Sequence, residues 1–369
     1  MNARLKDSPH EIEGLTTKIE FREDSLSVPP TRFQLGGSPV EVQAKIDSLR
    51  SRAGTFRLQS PGLRAASLGV AGEAVAKEEV IRGLDLSGAF RAPGETPPEI
   101  DGKLRSEGGT LRDVDYQNLT ADFALRENVA TLRGLALRAF DGSYDGSGRY
   151  DMRDPDMPRF DFRSTIRDMS LKGLLGNKFP GAEEKIEGLL HADLELDGSG
   201  KEWERIRQNL RGQGRVDVKD GVLKDVNVAE QVLTGITGVP GLSNLISPRT
   251  RAKYPDLFAT GDTKFEKLGG SVAIADGVAR TDDMTLAARD YAIRGEGTFA
   301  LENQLDFTAT LVASKPLTDD IVDDVKEAKY IANEEGRLAI PFRATGSLPN
   351  VKPRPDTDYL ARAVARAAV

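Results

Sequence analysis

The sequence predicts a mainly β protein, an antiparallel sheet with a few capping helices, and three observations carry that prediction. Apolar and polar residues alternate along many short stretches. The stretches are separated by a few turn-forming residues, so that a meander is the natural topology. One such pattern also occurs three times along the chain.

The alternation is read directly from the residues. Leu15, Thr17, Ile19 and Phe21 fall on one face, with Thr16, Lys18, Glu20 and Arg22 on the other. The same holds for Val40, Val42, Ala44 and Ile46, and for Leu305, Phe307, Ala309 and Leu311. A period of two means one buried face and one wet face. The turns "REDS", "GGS", "RENV", "FDGS", "ADGV" and "LENQ" supply the Gly, Asp and Asn that tight connections favour. About 15 strands are expected on this reading.

The repeat is the pattern of "LRENVATLRGLALRAFDGSYDGSGRYDM" (Leu125–Met152). Upstream, "FREDSLSVPPTRFQLGGSPVEVQAKID" (Phe21–Asp47) matches it 104 residues earlier (125 − 21), with Leu35 meeting Ala139, Val40 meeting Tyr144 and Ile46 meeting Tyr150. Downstream, "IADGVARTDDMTLAARDYAIRGEGTFAL" (Ile274–Leu301) matches 149 residues later (286 − 137), with Leu286 meeting Leu137, Ile293 meeting Tyr144 and Phe299 meeting Tyr150. "FRL" (Phe56–Leu58), "FDF" (Phe160–Phe162) and, after a short deletion, "LDF" (Leu305–Phe307) extend the match. Preserved parity matters more than identity, because a slip of one residue turns every apolar side chain to the other face. These boundaries divide the chain into a first β segment over residues 1–100, a second over 101–186 and a C-terminal region over 187–369.

Helices interrupt only the last region. "KEWERIRQNLRG" predicts a helix near 201–211 with Trp203, Ile206 and Leu210 on one stripe. Val228, Val232 and Ile236 predict another over 226–238, ended before Pro240. A third, over 318–335, has Thr318 as its N-cap and acids in its first turn, with Ile321, Val325 and Ala328 facing inward. A last one covers 357–368. Helices that occur once in a strand array suit the plugging of an end or the covering of an edge.

Composition narrows the function. Hydrophobic residues make up 38% and charged residues 30%, so the chain is not composed like a disordered one. The net charge is −7 with no basic block, which argues against nucleic acid as a partner. The absence of cysteine removes disulfides, thiolate metal sites and a thiol nucleophile without fixing the compartment. No apolar run is long enough to span a bilayer, and "MNARLKDSPHEIEG" lacks the apolar core of a signal peptide. Either the protein is cytosolic or this is a piece of a longer chain, and strand pattern beginning at Leu15 favours the piece.

Reaction chemistry is hard to assemble. His10 and His191 are the only histidines, and His191 lies in strand pattern, where a structural role is expected. No G-x-S-x-G elbow is present, "GSG" (Gly198–Gly200) has no partner histidine nearby, and "GEG" (Gly295–Gly297) lies within a strand and relieves crowding. Asp141, Asp145, Asp151, Asp154 and Asp156 cluster in sequence, but their spacing does not fit an EF-hand loop and suits turns. An enzyme is the least supported class, and no metal or cofactor is expected.

The segment "LRGQGRVDVKDGVLKDVNVAEQVL" resembles the AsmA family of bacterial envelope proteins, in their C-terminal region. The resemblance continues through "FEKLGGSVAIADGVARTDDMTLAARDYAIRGEGTFALENQLDFTATL" and ends with "IPFRATGSLPNVKPRPD". It covers Glu187 to Asp356 well and the upstream repeats more loosely. It implies an elongated, curled sheet shaped as a groove, located in the periplasm and held at the inner membrane by an N-terminal segment missing here. It further implies a part in phospholipid movement between the two membranes and in outer-membrane assembly, with inner- or outer-membrane proteins as further partners.

The apolar face needs a cover whichever reading holds. From pattern alone a closed sandwich core is the commoner outcome, whereas the resemblance favours a trough that takes acyl chains. About 15 strands at roughly 4.8 Å each would make such a trough on the order of 70 Å long. The residues expected to line it are Ile19, Phe21, Phe33, Leu35, Val40, Val42, Phe123, Leu125, Leu137, Tyr144, Tyr150, Phe160, Phe162, Leu286, Ile293, Phe299, Leu305 and Phe307. The rivals are a scaffold or chaperone for outer-membrane assembly that pairs through strand edges, tested by Pro in Thr308–Val312, and a closed sandwich at the cell surface.

Overall fold

The computed structural model describes residues 3–4, 11–68, 79–92, 94, 97–111, 113–178, 183–302, 304–347 and 350–367. It is mainly β, with twenty strands in one antiparallel sheet that is not closed, and a few helices. The sequence pattern undercounts strands because the glycine-rich ones alternate poorly. Contacts divide the chain into two units, residues 1–166 with 195–203, and residues 167–194 with 204–369. His10 lies outside the described residues.

The first unit is a meander of β1 (Ala3–Arg4), β2 (Glu11–Glu13), β3 (Glu20–Arg22), β4 (Ser25–Leu35), β5 (Ser38–Ser48) and β6 (Ala53–Arg64). It continues with β7 (Val80–Arg91), β8 (Glu99–Leu111), β9 (Val114–Arg126), β10 (Val129–Ala139) and β11 (Gly142–Asp151). From β3 to β11 each strand pairs with the next, while β2 pairs with both β1 and β4. β12 (Arg159–Ser170) and β13 (Ile186–Ser199) each contribute residues to both units. The first unit's core is a cluster of Ile12, Leu35, Val40, Leu63, Ala65, Ile81 and Leu84.

The second unit continues the meander through β14 (Arg211–Leu223), β15 (Thr263–Ala275), β16 (Val278–Ala287), β17 (Tyr291–Ala300), β18 (Gln304–Ala313), β19 (Ala339–Ser347) and β20 (Lys352–Pro355). Its helices are α1 (Leu171–Lys178), α2 (Trp203–Asn209, whose first residue falls in the first unit), α3 (Val228–Gly235), α4 (Pro248–Lys253), α5 (Pro255–Phe258), α6 (Lys315–Asp324) and α7 (Thr357–Ala367). Val232, Leu233 and Ile236 of α3 and Leu317 and Ile321 of α6 are fully buried, as are Leu311 and Ile340 of the sheet. β20 ends the ladder with Pro353 and Pro355, which offer no N–H to a further strand.

The threefold repeat is structural. β4, β10 and β16 begin at 25, 129 and 278, and β5, β11 and β17 begin at 38, 142 and 291, which are the spacings of 104 and 149 seen in the sequence. Each first hairpin carries a bulge in its first strand, between Val28 and Thr31, Leu132 and Leu135, and Thr281 and Met284. The extra residue lets an even-numbered and an odd-numbered side chain point to the same face and bends the strand. Each third strand runs into a helical turn, at Ala65–Leu68, α1 and α6. The tight turns use positive φ at both central residues at Gly36–Gly37, Glu127–Asn128, Phe140–Asp141 and Asp276–Gly277, as two-residue hairpins require.

Four expectations need correction. The strand from Leu15 to Arg22 exists only over Glu20–Arg22. Residues 14–19 lie opposite 28–33 of β4, where Pro29 and Pro30 remove the donors and the bulge breaks the ladder. The helix expected over 318–335 starts at Lys315, because Ser314 is its cap and accepts a bond from the Leu317 amide. It ends at Asp324 where Val325 turns extended, and a 3₁₀ turn follows over Lys326–Ile331. Trp203 is 63% exposed and α2 buries nothing fully, since its seven residues end before Leu210. Residues 308–312 belong to β18, which is paired on both sides and is no edge.

Candidate functional site

The registers place three transverse rows on the apolar face of the first unit. One row runs Ile46, Gly54, Phe90, Ile100, Leu125, Ala130, Tyr150. The next runs Ala44, Phe56, Gly88, Gly102, Phe123, Leu132, Gly148. The third runs Val42, Leu58, Leu86, Leu104, Ala121, Leu135, Gly146. None of the large side chains in these rows is fully buried; each is half-exposed, although all of them are apolar or tyrosine. A sandwich core would bury them, so this face is open over most of its length.

Several aromatic rings on this face lie over glycines of a neighbouring strand. Phe123 lies across the strand pair onto Gly102, where an added Cβ would meet its Cζ at 2.4 Å, and Phe56 lies over Gly88 at 3.1 Å. Phe162 covers Gly148 at 2.2 Å and Phe160 covers Gly198 at 2.6 Å. In the second unit Phe307 covers Gly297 at 2.6 Å, the positions that correspond to Phe162 and Gly148 in the repeat. Glycine is required at these places because a side chain would have to displace a ring and, at Gly88, Gly148 and Gly297, would also meet a carbonyl of the neighbouring strand.

Two pairs of hydroxyls on the apolar face are matched with each other. The hydroxyls of Tyr144 and Ser164 are 2.9 Å apart and those of Ser106 and Tyr116 3.0 Å apart. Charge is confined to the other face, where Arg57 meets Asp85 at 2.5 Å, Arg126 meets Asp101 at 2.7 Å and Arg133 meets Asp101 and Asp122 at 2.9 and 2.6 Å. Bonds from Arg126 and Arg133 hold the Asp101 carboxyl below the usual carboxylate range, and Arg57 does the same for Asp85. These pairs are exposed and add little stability.

In the second unit the apolar face is half covered. Leu286, Ile293, Leu311 and Ile340 form one transverse row and are buried, on the part of the face beneath the helical cover. Asn227 ties that cover together: its Oδ1 accepts from the Glu230 amide at 2.9 Å and its Nδ2 donates to the Leu257 and Thr260 carbonyls at 2.7 and 2.9 Å. Toward the other end of the same strands Phe299, Leu305 and Phe307 are half-exposed. A cleft beside the cover is lined by Asp220, Asp256, Asp262, Lys264, Glu266, Arg289, Asp290 and Tyr291. Its charges are partly spent on one another, Arg289 with Asp256 at 3.0 Å and Lys264 with Asp256 at 3.9 Å, and burial pushes the Asp290 carboxyl up.

The eighteen residues expected to line a groove fall into three groups. Phe123, Leu125, Leu137, Tyr144, Tyr150, Phe160, Phe162, Phe299, Leu305 and Phe307 are half-exposed on the apolar face, and Phe33 and Val42 are half-exposed against the first unit's core. Leu35, Val40, Leu286 and Ile293 are buried core and offer no open surface. Ile19 and Phe21 are 48% and 69% exposed beside β4, and Phe21 extends the first row through Leu26 to Ile46. The glycines of the central row were not singled out from the sequence, although a Phe opposite a Gly in aligned strands is a signal that pairing registers would have exposed. His191 sits half-buried on β13 with Nε2 3.1 Å from Asp168 Oδ1. Of the clustered acids, Asp151 pairs with Arg153, Asp154 accepts from the Asp156 and Met157 amides, and Asp141 occupies a turn.

No helix among the described residues is long and apolar enough to cross a membrane. A model of the AsmA family matches residues 104–284. The match begins upstream of Glu187, ahead of the second copy of the repeat and within the second β segment, and stops before the terminal "IPFRATGSLPNVKPRPD". No curated protein and no solved structure matches the chain.

Proposed function

Because residues 104–284 belong to the AsmA family, whose members are envelope proteins, we propose that this chain is a non-catalytic lipid-binding protein of the periplasm. The observation that carries the reading is the half-buried apolar face of the first unit, whose three transverse rows carry no charged residue. Acyl chains cover that face while head groups stay at its wet rim. Each buried methylene is worth about 0.8 kcal/mol, so a 16-carbon tail gains roughly 12 kcal/mol before entropy is lost. The gain depends little on which wall atom makes the contact, so the protein offers a low-friction path and gradients or partner proteins set the direction. In this reading the chain takes part in phospholipid transport between inner and outer membranes and in outer-membrane assembly, is anchored at the inner membrane through an N-terminal segment, and uses no cofactor.

The test is lipid extraction and mass spectrometry on protein purified without detergent. Phospholipid at or above one per chain is expected, and Phe162→Asp and Phe307→Asp should each lose most of it while staying folded. Parent protein that is folded, free of lipid and unable to take up added lipid would sink the reading.

A further inference from the structure

The rings laid over glycines have a functional corollary. Along the central row, Phe56 and Gly88 form one flat pair and Gly102 and Phe123 the next, and Gly148 under Phe162 ends it. The rows on either side carry bulky apolar side chains, Phe90, Ile100 and Leu125 on one and Leu58, Leu86 and Leu104 on the other. Adjacent rows lie roughly 7 Å apart, the length of two residues along a strand. Between β6 and β9 the central row is therefore a shallow furrow, floored by Phe56 and Phe123 lying over glycines and walled by aliphatic side chains and Phe90. Leu132 on β10 interrupts the floor, so at roughly 4.8 Å per strand the furrow runs about 14 Å.

We infer that this furrow is the seat of one straight hydrocarbon tail, lying across the strands rather than along them. The inference rests on the lipid-binding reading and specifies where and in what shape the tail binds. The chemistry of the furrow selects the occupant. Between β6 and β9 its floor and walls carry no charge and no hydrogen-bonding side chain, so a peptide strand laid there would leave its amides unsatisfied, at about 1–3 kcal/mol for each. A hydrocarbon tail asks for no such partner. A floor one ring thick takes an extended methylene chain and disfavours tails with methyl branches, which would strike the walls.

The experiment uses the full chain with a photoreactive benzoylphenylalanine placed at Phe123 on the floor, Leu104 on the wall or Lys103 on the outer face. The probe is a vesicle of dipalmitoyl phosphatidylethanolamine and phosphatidylglycerol, and the readout is the mass of the lipid adduct. Adducts are expected mainly at 123, weaker at 104 and none at 103, with a branched-tail lipid competing poorly. Gly102→Ala meets only the Phe123 ring, so it lifts the floor and should lower lipid occupancy by about fourfold, the worth of one methylene contact. Gly134→Ala is the control, since nothing lies within 4 Å of its added Cβ. Equal adducts at 123 and 104, with Gly102→Ala and the branched lipid indistinguishable from the parent, would overturn the furrow and leave lipid binding standing. No adduct at either inner position would remove lipid binding itself. The cross-linking does not depend on the glycine variant folding.

Discussion

Leu137, Tyr144 and Ile166 in the second copy of the repeat correspond to Leu286, Ile293 and Leu311 in the third, yet the first three are half-exposed and the second three are buried. The strands themselves differ little, since the first two strands begin at matching positions and carry the same bulge. What differs is the element that follows. α6 is capped by Ser314 and brings Leu317 and Ile321 into the core, joined by α3 and α7 with Val232 and Leu360. Among its described side chains α1 buries Leu171 alone, and that one not completely. Whether an alternating strand becomes core or open surface is thus settled by the cover it receives and not by its own pattern.

The largest expected effect tests that contrast directly. Leu311→Ala should cost about 2–5 kcal/mol, as for a fully packed core leucine. Ile166→Ala should cost roughly 1 kcal/mol, because much of its surface already meets water. Urea unfolding of both variants measures the difference, and equal losses would mean that the second copy is covered after all.

A smaller effect sharpens the comparison by loosening the cover alone. Asn227→Ala removes three hydrogen bonds at a buried site and should cost about 2–3 kcal/mol. Amide exchange should quicken in α3 and α5 and stay unchanged in β7–β9. Uniform quickening throughout would show that the two units do not open independently.

The smallest effect lies on the wet face, where Arg153 holds the Asp151 carboxyl at about 2. A carboxyl depressed on folding stabilises above its unfolded value of about 3.9 and loses that contribution as pH falls through about 2. Melting of the parent and of Asp151→Asn should therefore differ slightly at neutral pH and converge near pH 2. A gap that widens on acidification would contradict the assignment.

The period-two alternation and the spacings of 104 and 149 made the sheet and its repeat legible in the sequence, because register on a one-sided sheet is enforced by burial. The bulges were not legible: Pro29–Pro30, Arg133–Gly134 and Asp282–Asp283 share no residue type, only a position. The start of α6 was misplaced because Thr318, a sound cap by type, lies one turn inside the helix that Ser314 and Pro316 begin. For the site, alternation identified the face but could not separate Leu286 and Ile293 from Phe299 and Phe307, since the helices that cover the first pair come from distant sequence.

Nearest-neighbour pairing from β3 to β11 has a consequence for how the chain reaches this state. Each added strand needs only the one before it, so the sequence separation of contacts stays short despite an all-β ladder, and the entropy of closing long loops is avoided. A chain emerging from its N-terminal end can therefore zip into register strand by strand. The second unit's helical core, by contrast, waits for Leu360, eighteen places after Phe342 of β19 (360 − 342), and so for nearly the whole length.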